Sequence, residues 1–240
     1  LDRFSTNYCY HAIVHSSWKE GIIVDTLRQI HIDRYIEDIR TAIGGVKDRV
    51  PSAELYTLCR GKKYAELVRC IRDQMCLERF PMRVNVDHIP SGFSAFIERD
   101  RLSLYTDPDH LLKAANIRLT LSRDMVRTSH ADVVIFAIAH ELSHILLEAL
   151  GSGLARFEMA IDVTAMMAGY AEYYRDGKIS LSASSHLSAE WFLPLDDIVR
   201  VCDYFRRPPG AAQMTQDVGY LTQEEVLYVM GCIENLRRFL

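Results

Sequence analysis

One stretch constrains this chain more than any other: the apolar run from about Val133 to Leu150, interrupted by His140, Glu141, His144 and Glu148. Those ionisable groups argue against a membrane span, since each would be stranded in hydrocarbon, so the run predicts a core helix. Two histidines four residues apart on a helix differ by about 40° in azimuth and about 6 Å in rise. Both imidazoles can therefore reach one metal ion from the same face. His140 and His144 stand in that relation within His-Glu-Leu-Ser-His, and zinc is the natural occupant. Glu141 lies at the edge of the face, where its carboxylate reaches a water on the metal without being a ligand, which is a general-base position. The neighbours Ile138, Ala139, Leu142, Ser143, Ile145 and Leu146 are uncharged, and no proline bends the helix between the ligands.

A catalytic zinc site takes a third protein ligand and leaves its fourth position to water. Glu148 is four residues beyond His144, but about 12 Å along the axis from His140, too far to close a tetrahedron on a straight helix. The better candidates lie in Glu158-Met159-Ala160-Ile161-Asp162, where two acids four apart share a helix otherwise rich in apolar residues. Carboxylates in such a setting need compensation, and a metal ion with its histidines supplies it. The residues alone leave open whether Glu158 or Asp162 is the ligand.

The rest of the chain reads as an α+β protein. Ile32, Ile36, Ile39 and Ile43 follow helical spacing until Gly44-Gly45, and Tyr64, Leu67, Val68, Ile71 and Met75 form one face of a second helix. From Pro81 the period changes to two: Val84 and Val86 alternate with polar residues in a strand. Residues 93–98 and 102–106 read as a hairpin around Arg99-Asp100-Arg101, Asp107-Pro108-Asp109 as a turn into a short helix, and 117–121 as a further strand. Polar residues 122–129 then connect to the motif helix. Beyond Gly151-Ser152-Gly153 a helix is expected from about Ala155 to Tyr174, closed by Asp176-Gly177, with a polar linker over 178–188. A helix with Ile198, Val201, Cys202 and Phe205 on one face follows, then Pro208-Pro209-Gly210. The last helix opens on Thr222 and Glu225 in capping-box spacing and buries Val226, Val229, Met230 and Ile233.

His-Glu-Leu-Ser-His followed on the next helix by Glu-Met-Ala-Ile-Asp resembles the HExxH plus ExxxD signature of gluzincins, the thermolysin-like metallopeptidases. The resemblance implies that Glu158 is the third zinc ligand and that Asp162 orients a ligand histidine from behind, a role that fixes the tautomer and raises basicity. It covers residues 82–176, including strands similar to the small zincin sheet whose edge strand binds extended peptide. Leu147 and Leu150 stand where the metzincin extension requires Gly and His, and the short span from His144 to Glu158 is closer to compact ImmA/IrrE-like or minimal gluzincin groups. That spacing also keeps Asp162 open as ligand. The implied architecture is a helical N-terminal region (1–80), a zincin-like catalytic core (81–176) with a small mixed sheet, motif helix and ligand helix, and a helical C-terminal region (177–240) packed on the core.

The expected function is that of a zinc metallopeptidase, a hydrolase in which Glu141 activates a zinc-bound water against a peptide bond. The alternative is a zinc-binding or degenerate zincin module acting through protein interaction or sensing. The residues at 140, 141 and 144 also admit a plainer explanation, a buried His/Glu polar network. Tyr170, Tyr173, Tyr174, His186 and Tyr220 are each able to donate to an oxyanion, though each also suits packing. Lower still rank His88, His110 and His130. Met166-Met167 reads as core filling. A net charge of −4 with both signs scattered leaves no basic stripe, so the partner is expected to be a protein or peptide substrate, not nucleic acid or membrane. Six cysteines without CxxC spacing suggest reduced thiols in a cytoplasmic protein. The start at Leu1, without initiator Met or an export pattern, suggests a short upstream piece.

Overall fold

The computed structural model describes residues 25–89, 95–98, 117–185 and 219–238. It is a mixed α+β structure, mostly helical, with a small three-stranded sheet. Helix α1 (Thr26–Ile43) is capped by Asp25 and ends on Gly44 in the left-handed region, and buries Ile32, Ile36 and Ile39. Helix α2 (Ser52–Arg60), which the apolar periodicity does not announce, buries Leu55, and α3 (Tyr64–Gln74) buries Leu67, Val68 and Ile71.

Strands β1 (Met82–Asp87), β2 (Ala95–Glu98) and β3 (Ile117–Ser122) form a sheet of order β1-β3-β2, with β1 parallel and β2 antiparallel to β3. The central position of β3 explains its burial, while β1 keeps the alternation of a half-covered strand. The expected hairpin partner at 102–106, the turn at 107–109 and the helix around Ile198 to Phe205 lie outside the described residues. The polar stretch after β3 is itself largely helical. Ser122 accepts the amide of Met125 and starts a short helix, α4 (Arg123–Thr128).

Helix α5 (Ala131–Ala149) carries the motif and is buried almost all round, as a helix apolar on every face must be. It packs against α2, α3, β2 and the helices that follow it. After a 3-10 turn, Gly153–Arg156, comes α6 (Glu158–Ala165), so the expected single helix from Ala155 is broken at Phe157. A π-type segment, Met166–Tyr170, joins α6 to α7 (Ala171–Ser185) across a kink at Gly169, whose φ is 103°. The carbonyls of Met167 and Gly169 accept the amides of Lys47 and Val50 at 2.9 and 3.1 Å, which ties the kink to the segment before α2.

A Cβ at Gly169 would lie 2.3 Å from the Asp48 carbonyl oxygen, so both space and φ demand glycine. Gly169→Ala is expected to destabilise the protein by about 3 kcal/mol, read as a lower urea midpoint at unchanged slope. Asp176-Gly177 does not end the helix as the sequence suggests, and residues 178–185 are helical instead of a linker. Gly177 lies against Val133 of α5, where its missing side chain lets two helices approach closely. The boundary expected at 176/177 thus falls inside α7. The last helix, α8 (Gln223–Arg238), has its capping box: Thr222 N–H donates to Glu225 at 2.7 Å and Glu225 N–H to Thr222 Oγ1 at 3.2 Å. Val226, Val229 and Ile233 are buried and Met230 is half-buried. Among the described residues, one apolar cluster runs from Ile32 of α1 to Leu236 of α8. Among the described residues, no helix is long and apolar enough to cross a membrane.

Candidate metal centre

The motif helix presents His140 and His144 one turn apart, their ring centroids separated by 5.3 Å and their planes at 79°. The 3-10 turn returns the chain so that Glu158, first residue of α6, faces both rings. Its Oε2 is 3.4 Å from His140 Nε2 and 3.5 Å from His144 Nε2. The ligand atoms of His140, His144 and Glu158 all lie within 4.8 Å of one another, a cluster that could hold a metal ion.

These spacings are informative. Ligands bound at about 2.0–2.1 Å around a tetrahedral ion lie about 3.3 Å apart along each edge. A charge-assisted hydrogen bond would bring imidazole and carboxylate to about 2.7–2.9 Å. The Nε2 side has the longer spacing, whereas His140 Nδ1 meets Asp162 Oδ1 at 2.7 Å. The two nitrogens of His140 are therefore in different environments, one hydrogen-bonded and one facing a shared point.

Asp162 lies fully buried behind His140. Its Oδ2 accepts from Tyr174 Oη at 2.8 Å, from Leu221 N–H at 3.2 Å and from Tyr220 N–H. With Oδ1 on the far nitrogen of His140 and Oδ2 committed elsewhere, Asp162 is placed to orient the imidazole, not to join Glu158 in the cluster. The Ala155 carbonyl stands at 3.4 Å from His144 Nδ1 and plays the same part more loosely. An Nδ1–H donated to a carboxylate or carbonyl leaves the Nε2 lone pair for a metal.

The electrostatics also favour a cation. Burial disfavours a charged His140, yet hydrogen bonding to Asp162 and Glu158 outweighs it and raises the imidazole to about 10. Burial would raise the Glu158 carboxyl, but bonding to both histidines holds it well below the usual carboxylate range. Two carboxylates around two imidazoles make a site that attracts positive charge. The set of two nitrogens and one oxygen, on side chains of which Glu158 is the most exposed, fits a divalent ion.

Glu141 is half-buried on α5, next to His140. Among the tyrosines weighed as oxyanion donors, Tyr170 bonds Gln74 and Tyr173 bonds the Val50 carbonyl, so both serve packing. The Tyr174 hydroxyl is bound to Asp162, with its ring stacked 3.8 Å from that of Phe136. The Tyr220 ring stacks on His140 with centroids 6.0 Å apart and planes at 21°. His186 and His110 lie outside the described residues. His88 is exposed near Asp124, and His130 pairs with Asp132 at the start of α5, away from the cluster. Sequence reasoning missed Ala155, Gly219 and Leu221, two of which act through backbone atoms that leave no side-chain signature. No protein-family model, curated protein or solved structure matches this chain, so the assignment of its site rests on geometry.

Proposed function

We propose that the chain is a zinc-dependent metallopeptidase with a gluzincin-like zincin core, its zinc held by His140, His144 and Glu158. The observation that carries this reading is the spacing of 3.4 and 3.5 Å from Glu158 to the two Nε2 atoms, the separation of ligands around one ion. That spacing is longer than the 2.7 Å between His140 Nδ1 and Asp162 Oδ1. When bound, zinc supplies Lewis acidity toward the scissile carbonyl and the attacking water.

The protein's own groups supply the rest. Glu141 accepts a proton from the attacking water and returns it to the leaving amine. Asp162 holds His140 in the tautomer that exposes Nε2, and the Ala155 carbonyl does this for His144. Strand β2 packs against α5 and, among the described residues, forms an edge of the sheet beside β3, where an extended substrate strand could add. The substrate class is protein or peptide. A cytoplasmic setting belongs to the same proposal, supported by free thiols at Cys59, Cys70, Cys76 and Cys232.

The test is metal content per chain together with cleavage of a proteome-derived peptide library before and after chelation. The expected result is about one zinc per chain and chelator-sensitive cleavage. Zinc without cleavage would favour a binding or sensing module. Protein purified without chelator that holds no zinc would sink both readings.

A further inference from the structure

Asp162 receives an unusual set of partners for a residue placed to orient a histidine. Two of the donors to Oδ2 are consecutive backbone amides, Tyr220 N–H and Leu221 N–H, from a segment 58 and 59 residues away in sequence. Leu221 N–H also reaches Tyr174 Oη at 3.1 Å, and that hydroxyl in turn donates to Oδ2. Gly219 makes this approach possible: its φ is +78°, and a Cβ would lie 2.0 Å from Tyr174 Oη and 2.8 Å from Asp162 Oδ2. The segment is held at its other end too. The Arg28 guanidinium donates to the Tyr220 carbonyl at 3.1 Å and pairs with buried Glu225 at the start of α8.

We propose that Gly219-Tyr220-Leu221 is a positioning strap for the metal centre, through which the C-terminal helix sets the orientation of His140. This rests on the zinc-site reading above. A carboxylate with one oxygen on His140 and the other free could turn about its own axis and carry the imidazole with it. Donors converging on Oδ2 stop that rotation, so Oδ1 stays on Nδ1 and Nε2 stays aimed at the cluster. The Tyr220 ring, nearly parallel to that of His140, resists tilting of the imidazole plane from the side. The strap residues are positioning residues, and none is a metal ligand.

The experiment compares wild type, Gly219→Ala and Gly44→Ala for zinc affinity, by competition with a chromophoric chelator, and for the visible spectrum of the Co²⁺-loaded protein. Gly44 has φ +74° and no atom within 4 Å of where a Cβ would stand, so its substitution reproduces the backbone strain without touching the site. Gly219→Ala is expected to weaken zinc about 10- to 100-fold, the range for losing an outer partner of a metal-bound histidine, and to shift the Co²⁺ bands. Gly44→Ala should keep wild-type affinity and spectrum. A Gly219→Ala protein with both unchanged overturns the strap. Should Gly219→Ala not fold, Tyr174→Phe decides, since it removes one donor to Oδ2 and the hydroxyl that Leu221 N–H reaches: weaker zinc binding with shifted Co²⁺ bands supports the proposal, and both unchanged overturn it. Wild type that takes up neither Zn²⁺ nor Co²⁺ would overturn the zinc-site reading first, and the strap with it.

Discussion

Glu141→Gln is expected to lower peptide cleavage by roughly a hundred- to ten-thousandfold while leaving zinc content at the wild-type level. The amide is nearly isosteric with the carboxylate but cannot take a proton from water, so the loss should fall on kcat and leave substrate affinity largely intact. Metal retention is expected because Glu141 lies outside the His140, His144 and Glu158 cluster. The assay is kcat and KM on a cleavable library peptide, with zinc quantified on the same preparation. Equal turnover by the two proteins would remove Glu141 from the mechanism, whatever the metal content.

Glu158→Ala and Asp162→Ala should separate metal affinity from fold stability, and in opposite order. The binding free energy of a structural zinc, about 10 to 16 kcal/mol, shared over four ligands gives about 3 kcal/mol each. Losing Glu158 should therefore weaken zinc by roughly a hundred- to a thousandfold. The Glu158 side chain is 28% exposed, so its removal should cost the metal-free fold less than that of the fully buried Asp162. Asp162 is the reverse case. Zinc should weaken by about 10- to 100-fold, as for an outer partner. The metal-free fold should lose about 3 to 5 kcal/mol, because Tyr220 N–H, Leu221 N–H and Tyr174 Oη lose their buried acceptor. Chelator competition and urea unfolding of the metal-free proteins read the two quantities. A larger zinc loss for Asp162→Ala than for Glu158→Ala would show that the ligand and the orienting residue have been exchanged.

Much of the fold was legible wherever burial imposes a period. The isoleucines of α1, the apolar face of α3, the alternation in β1 and the capping box of α8 each repeat on the pitch of their own element. Helix α2 escaped because only Leu55 of its nine residues is buried, too few points to define a period. Gly177 misled because a glycine after a helical run usually marks an end, while here it lies flat against Val133 and the helix continues.

The sequence by itself determined the pairing of His140 with His144, since a spacing of four on a helix puts both on one face whatever the surroundings. It also brought Glu158 and Asp162 into consideration, as acids on an apolar helix in need of a partner. Which histidine nitrogen each carboxylate faces was decided only by tertiary structure. The turn at Gly153–Arg156 aims Glu158 at both Nε2 atoms, while Tyr174 of α7 and the Gly219–Leu221 segment surround Asp162 with donors. Spacing within one helix is local geometry. Which carboxylate meets which nitrogen depends on how separate elements pack, and on backbone amides that every residue except proline possesses.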